Sequence, residues 1–379
     1  MRVTFISPHY FPSTGGVESV VRVQAEALAA RGHEVKVLTT HLQWPRRRIS
    51  APDHEEAMGV CVWRLPAIVT PQILGQSVFP VASNLWAIKG LENFLTAWKS
   101  DVIHVHHLVP GVVRTVIALN EGSAQVVWQP HFHPRDPARV EWIRGGPDRY
   151  AFRSAARVGS FITINPLEKE LIENQYAIRI RAHLVPNATS FSGQCKAADS
   201  RSVSSQMRIL TVGRVDDRRK GHEFLLDALA CVGLETNWTL AVVGRGDPRR
   251  LLSYAKKKGV AGRMTLAGEA SDQQLHEWYA WADVFAMPSQ YEAFGLPFLE
   301  AMTCGVPVIG TRVGGVPWVV EGSGLLVEYG DVRALAGALR SVLENPYLRK
   351  ELRIAGIREA RRFGVTQMID SLEEVYGGS

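Results

Sequence analysis

Two glutamates flank a Gly-Leu-Pro turn in the segment PSQYEAFGLPFLEAMTCGVPVIGT, Pro288–Thr311. The run before it reads as a strand, so Glu292 lies in the loop at the mouth of a sheet. Gly295 permits close backbone approach to a ligand. Pro297 suits the first turn of a helix, where its missing N–H costs nothing. The exposed N–H groups of that turn, Leu296 included, combine with the helix dipole into an anion site. At helical pitch Glu300 lies about one turn further in, near the same mouth. A sugar nucleotide fits this arrangement. Its phosphate would meet the N–H groups, one carboxylate would take ribose hydroxyls, and the other the sugar. The plainer reading is an ordinary acidic pair on a surface helix. The Gly-Leu-Pro turn between the two carboxylates argues against it.

Three further segments offer complementary groups. In VGRVDDRRKGHEFLLDAL, Val212–Leu229, a strand ends at Gly213, Arg214 follows, and Lys220-Gly221 opens a helix. Arginine forks onto phosphate and lysine supplies a point charge. Together they could stabilise a departing nucleoside diphosphate without a metal. Arg218 and Arg219 read as solvated. In HYFPSTGGVESVV, Gly15 and Gly16 precede a helix, so backbone can touch an anion or a sugar there. In WQPHFHP, Trp128–Pro134, His131 and His133 follow a strand, and an imidazole there could bond a donor-sugar hydroxyl. Metal binding by that pair is the alternative, but no carboxylate or cysteine nearby completes a site. His104 and His106 share one strand face in VIHVHH, followed by His107. Packing is their favoured role.

These segments need a scaffold that brings loops together. The first forty residues read as β-α-β: Arg2–Ser7 a strand, Glu18–Ala30 an amphipathic helix ended by Gly32, Glu34–Thr39 a strand. Such units imply a parallel sheet. Strand candidates recur at Val102–His106, Gln125–Gln129, Ser160–Ile164 and His183–Asn187. The polar, Ser-rich run at 190–206 reads as a linker. After it come Met207–Gly213, Trp238–Gly244, Arg263–Gly268, Asp283–Ser289 and Val306–Thr311. Thr366–Tyr376 is an amphipathic helix with Met368, Ile369, Leu372 and Val375 on one face. The fold class is therefore α/β, with two Rossmann-like doubly wound domains facing a central cleft. Ligands in such sheets lie beyond the carboxyl ends of the strands.

Composition sets outer bounds. At 379 residues, two domains are expected rather than one core. A net charge of +6 suits an anionic ligand or membrane surface but names neither. Cys61, Cys195, Cys231 and Cys304 form no CxxC and read as reduced thiols of a cytoplasmic protein. The N-terminus lacks an apolar run followed by a cleavage site, which predicts no signal peptide. No apolar run approaches the about 18 residues of a spanning helix. The stretch Ala82–Ser100 has Leu85, Trp86, Ile88, Leu91, Phe94, Leu95 and Trp98 in a helical period, with Lys89 and Lys99 among them. Packing on its own sheet is the favoured reading. Lying in a membrane interface on the cytoplasmic face is the alternative.

Taken in order, these segments resemble the retaining glycosyltransferases of family 4, the "group 1" enzymes of GT-B fold. The likeness spans nearly the whole chain. It rests on Gly213-Arg214, Lys220-Gly221, PSxxExFGLPxLEAMxxGxPVIGT and the GLLV of Gly324–Val327. It implies that Arg214, Lys220, Gly295 and Leu296 bind the donor diphosphate and that Glu300 holds the ribose. Glu292 would work at the donor sugar near the reacting carbon, with His131 the matching histidine of the first domain. Backbone from Phe294 to Pro297, with Gly15 and Gly16, would touch sugar and phosphate. The implied domains are 1–189 on the acceptor side, with helix 365–379 crossing back, and 207–364 binding the donor. The implied reaction moves a hexose from a UDP- or GDP-sugar to a glycan, lipid-linked or small-molecule hydroxyl. No metal, cofactor or nucleic acid is expected. The chain departs from the family in having Ala188 after Asn187, and Trp318 where an acidic residue often stands. A nucleotide-sugar isomerase or hydrolase, and a non-catalytic sugar-nucleotide-binding protein, are the alternatives. A nicotinamide oxidoreductase needs G-x-G-x-x-G after a strand, and Val243–Asp247 (VGRGD) is incomplete.

Overall fold

The computed structural model describes residues 1–377 except 14, 44–46, 49, 67–84, 121, 133–140, 192–205 and 234–235. For 42, 43, 47, 48, 85–87 and 141–147 it describes the backbone. The chain divides into two units: Met1–Ala188 with Val365–Ser379, and Thr189–Gly364. His133 and most of the predicted 190–206 linker lie outside the described residues.

In the first unit, β1 (Arg2–Ile6), β2 (Glu34–Thr40) and the helix α1 (Gly16–Ala30) make the opening β-α-β unit. A short ribbon pairs β3 (Leu42–Gln43) with β4 (Arg47–Arg48). The edge hairpin is β5 (His54–Ala57) and β6 (Val60–Leu65), the one antiparallel pair of the main sheet. Helices α2 (Leu85–Ala97), α3 (Pro110–Asn120), α4 (Glu141–Val158) and α5 (Glu168–Tyr176) alternate with β7 (Val102–His106), β8 (Gln125–Gln129), β9 (Ser160–Thr163) and β10 (Ala182–Leu184). The sheet order is β10-β9-β8-β7-β1-β2-β6-β5. Strands buried on both faces need near-continuous apolar runs, and β7 is buried at all five positions. The hairpin was not anticipated from the sequence. Its signal was alternation in VCVWRL, where Val60, Val62 and Arg64 face inward while Trp63 is exposed.

On α2 three apolar side chains face the core: Leu91 is buried, with Phe94 and Leu95 packed against the same cluster. Trp98 lies under the Lys36 ammonium, 3.1 Å from its ring centroid. Trp86 lies among the residues whose side chains are not described. Among the described residues no helix is long and apolar enough to cross a membrane.

The second unit runs β11 (Met207–Val212), α6 (His222–Val232), β12 (Trp238–Val243), α7 (Arg249–Lys257), β13 (Met264–Gly268), α8 (Asp272–Trp281) and β14 (Val284–Met287). It continues with α9 (Leu296–Thr303), β15 (Val308–Thr311), α10 (Val316–Val320), β16 (Leu325–Val327), α11 (Val332–Glu344) and α12 (Pro346–Ala360). All its strand pairs are parallel, in the order β13-β12-β11-β14-β15-β16. The order reverses between β11 and β14, and a ligand-binding crevice is expected where order reverses. The last helix, α13 (Val365–Gly377), returns to the first unit, where Met368, Ile369, Leu372, Val375 and Tyr376 join the core around Val3, Val21 and Val35. Arg31 bridges Asp370 and Glu373 on its outer face.

The cysteines depart from the expectation of reduced thiols. Cys61 and Cys231 are free, whereas Cys304 is disulfide-bonded.

Candidate functional site

Strand order decides what meets in the second unit. Because β11 pairs with β14, the loops that follow them lie side by side. Glycine makes this possible at two points. Gly221 has φ +73, and a Cβ there would stand 1.9 Å from the Pro288 carbonyl oxygen. The neighbouring backbone is joined by the Gln290 N–H, which donates to the Arg219 carbonyl at 2.7 Å. Lys220 is thereby pressed against the Pro288–Glu292 loop. Its Nζ donates to Glu292 Oε2 at 2.7 Å, an ion pair with both partners half-buried.

Glu292 is fixed from its other side too. The Gly315 N–H donates to the Glu292 carbonyl at 3.0 Å, and a Cβ on Gly314 would stand 2.0 Å from that oxygen. The Gly314-Gly315 turn after β15 thus belongs to the site, a role that sequence reading did not assign. Arg214 approaches along β11. Its guanidinium lies 3.0 Å from Asp216 Oδ1, and its carbonyl is 3.2 Å from His222 Nε2. Burial lowers the His222 pKa to about 4, so this imidazole is neutral near pH 7 and its hydrogen bond to a carbonyl uses Nε2–H. Two cations and a carboxylate therefore stand at the reversal point, with Gly213 packed on the stem of Lys220.

Helix α9 begins beside them. Gly295, at φ +97, is its N-cap, and among the described residues the end has no side-chain cap. Pro297 occupies the first turn and adds no N–H. Phe294 and Leu296 are buried here, so the turn's N–H groups lie on an apolar footing, where an anion gains most from them. Glu300 follows one turn in. The Tyr279 hydroxyl from α8 donates to its Oε2 at 2.7 Å. Burial raises the Glu300 carboxyl to about 7, and nearby Asp272 pushes the same way. Tyr279 is another partner that sequence reading missed, because α8 precedes the motif and lacks any motif of its own. Trp318 instead packs with Phe363 and Phe294, at 5.2 Å and 6.2 Å between centroids.

The first unit holds the remaining candidates. Gly15 is the N-cap of α1 in an extended conformation, with no side-chain cap, and a Cβ there would collide with Glu18. Gly16 is the first helical residue. His131 follows β8, is 5 % exposed and has φ +49, a left-handed conformation uncommon outside glycine. Its Nε2 lies 2.9 Å from His106 Nδ1. The rings of His104, His106 and His131 form a stack, with centroid separations of 4.4 Å and 5.2 Å. His104 meets the Tyr376 hydroxyl at 2.7 Å, and burial lowers its pKa to about 3. His104 therefore has the packing role expected of it. His106 differs, since it reaches a site candidate.

The chain is similar to known glycosyltransferases along nearly its whole length. Residues 14–191 match the family described as "Glycosyltransferase Family 4" and residues 206–345 the family "Glycosyl transferases group 1". A D-inositol 3-phosphate glycosyltransferase of Thermomonospora curvata is 33% identical, the alignment covering 100% of this chain and 95% of that protein. A phosphatidyl-myo-inositol mannosyltransferase of Mycobacterium leprae is 27% identical over 99% of this chain and 96% of its own length. Among solved structures, sucrose-phosphate synthase of Thermosynechococcus elongatus superimposes with a TM-score of 0.85 at 25% identity, covering 99% of this chain and 98% of that one.

Proposed function

The chain belongs to the group 1 glycosyltransferases of GT-B fold, and from that premise we propose that it moves a hexose from a UDP- or GDP-sugar to an acceptor hydroxyl with retention at the anomeric carbon. The second unit takes the donor in this reading, and the first unit faces the acceptor. The observation that carries the reading is the meeting of the β11 and β14 loops: Lys220 against Glu292, Arg214 on the same strand end, and the uncapped α9 terminus beside them.

Each group has a chemical task. In transfer, the bond from the anomeric carbon to the diphosphate oxygen breaks, and a bond to the acceptor oxygen forms. Negative charge grows on the leaving diphosphate. Arg214, Lys220 and the N–H groups at Gly295 and Leu296 stabilise it where it develops. Glu292 orients the sugar beside the reacting carbon, with the Gly314-Gly315 turn holding its backbone. Glu300 takes the ribose hydroxyls, oriented by Tyr279. His131 supplies a hydrogen bond to the donor sugar from the first unit, with Gly15 and Gly16 offering backbone beside α1. The two enzymes named above carry inositol in their names, and the mannosyltransferase a phosphatidyl lipid. A polyol, free or lipid-linked, is accordingly the acceptor class of first choice.

A thermal-shift and donor-hydrolysis panel of UDP- and GDP-sugars tests the reading. One nucleotide sugar, and its nucleoside diphosphate, should raise the melting temperature. A ligand at about 100 times its Kd stabilises by about 2.7 kcal/mol. The product formed with inositol or inositol phosphate should keep the donor's anomeric configuration by NMR. Absence of any shift across the panel would overturn the donor site, and an inverted product would overturn retention.

A further inference from the structure

His131 is held twice. Its backbone is pinned through the next residue: the Phe132 N–H donates to Glu168 Oε1 at 2.7 Å, and Glu168 Oε2 accepts the Ile164 N–H at 2.7 Å. A left-handed residue persists when its surroundings over-determine it, and such strain gathers at functional positions. The ring is held separately, by His106 at 2.9 Å.

Between two imidazoles a hydrogen bond uses one proton, so one ring donates. His106 is fully buried, and among the described residues its Nε2 makes no hydrogen bond. Burial, with three histidines beside it, holds its pKa well below the usual imidazole value, so the ring is neutral and carries one proton. Were His131 the donor, that proton would sit on His106 Nε2 as an orphaned buried N–H. Orphaned donors are rarer in folded proteins than orphaned acceptors. With the proton on Nδ1, His106 donates to His131 and leaves only a lone pair unpaired.

We propose that His106 is a positioning residue: its Nδ1–H donates to His131 Nε2 and thereby keeps the His131 proton on Nδ1. A sugar hydroxyl that meets His131 would then face a ring of fixed tautomer. The tautomer of a histidine is set by the bond its other nitrogen makes. The catalytic consequence rests on the reading of His131 as a donor-sugar contact, whereas the tautomer does not.

The test uses the full chain labelled with ¹⁵N-histidine and long-range ¹H–¹⁵N correlation at neutral pH, with His131 assigned by its loss in His131→Gln. The wild-type spectrum should show His131 protonated at Nδ1 and bare at Nε2. His106→Leu should populate the Nε2–H form. It should also lower kcat roughly tenfold for hydrolysis of UDP-glucose or GDP-mannose, whichever turns over, with KM little changed. His106→Asn places an amide near the Nδ1 position, so it should restore both the spectrum and most of kcat. A wild-type His131 protonated at Nε2, or a His106→Leu spectrum identical to wild type, overturns the proposal. If His131→Gln keeps full activity, the sugar-contact reading fails by itself, and the spectra still judge His106. Should His106→Leu not fold, the wild-type and His106→Asn spectra decide.

Discussion

Lys220 and Glu292 are 72 residues apart in sequence and 2.7 Å apart in space. The pair makes each residue's substitution speak about the other. Glu292→Gln keeps the volume and removes the charge, so transfer should fall by about a hundredfold or more, the scale of losing one preorganised electrostatic contact. Melting should stay near wild type, since the carboxylate is half-buried and its backbone is held by Gly315. Rates near wild type would remove Glu292 from the reaction. Arg214→Ala and Lys220→Ala should each weaken nucleoside diphosphate binding by about tenfold. The double variant should lose less than the two losses added if, as proposed, both act on one leaving group. Full additivity by calorimetry would argue against a shared diphosphate site. Residue types were legible in the sequence because Gly295 and Pro297 mark a helix start and the two glutamates flank them. The Lys220–Glu292 contact was not, because adjacency of β11 and β14 is a property of sheet order rather than spacing. Tyr279 escaped for a related reason: a lone tyrosine in α8 has no local signature, and only packing brings its hydroxyl to Glu300.

At the scale of elements, α13 and α5 carry the first unit by different means. The apolar period of α13 was readable as one face, and that face is the one buried: Leu372 is 0 % exposed beside Val3 and Val21. Leu372→Ala should destabilise the unit by about 2–5 kcal/mol in urea unfolding. A loss below about 1 kcal/mol would mean that α13 docks loosely. The α5 contribution comes from Glu168, 1 % exposed, whose burial raises its carboxyl to about 7 against two N–H bonds that lower it. Such an acid holds its proton more tightly folded than unfolded. At pH below about 4.5 both states are protonated and the shift has no effect on stability. Between pH 4.5 and 7 the unfolded chain ionises first, so stability falls as pH rises, by roughly 3 kcal/mol in all. Glu168→Gln cannot ionise, so its stability should decline less than wild type between pH 5 and 7.5. Parallel slopes would overturn the assignment. Periodicity could not have pointed to Glu168, since a buried carboxylate in the first turn of a helix looks like any dipole-favoured acid. The α2 face, in contrast, was readable as apolar, and Leu91 and Phe94 show what it meets. Its packing leaves little for a bilayer: Trp98→Ser should not alter co-sedimentation with anionic vesicles. A salt-sensitive loss of binding in that variant would show that α2 faces lipid.

The whole molecule repeats one device, a doubly wound parallel sheet whose strand order reverses near the middle, and that repetition was visible as β-α alternation on both sides of residues 190–206. Alternation fixes the class of sheet, because parallel strands need helical crossovers. It does not fix edges, which is why the β5–β6 hairpin appeared only in the structure. A net charge of +6 surrounds this scaffold, and the donor proposed above would be a dianion at its diphosphate. Charge stabilisation of the leaving group can come from a divalent metal or from fixed protein cations and dipoles. Here Arg214, Lys220 and the uncapped N-terminus of α9 stand at one strand-order reversal, each able to face the same diphosphate. If these three contributions stabilise the leaving group as proposed, transfer should survive EDTA with kcat within about twofold of the untreated enzyme. Because these contributions are electrostatic and part-exposed, KM for the donor should rise with ionic strength as the cations are screened. Enzyme that is dead after chelation and restored by Mn²⁺ or Mg²⁺ would transfer the main stabilising role from these groups to a metal. The Lys220→Ala variant then separates the two accounts: it should be severely impaired if the lysine stabilises the leaving group, and close to wild type with added Mg²⁺ if the metal does.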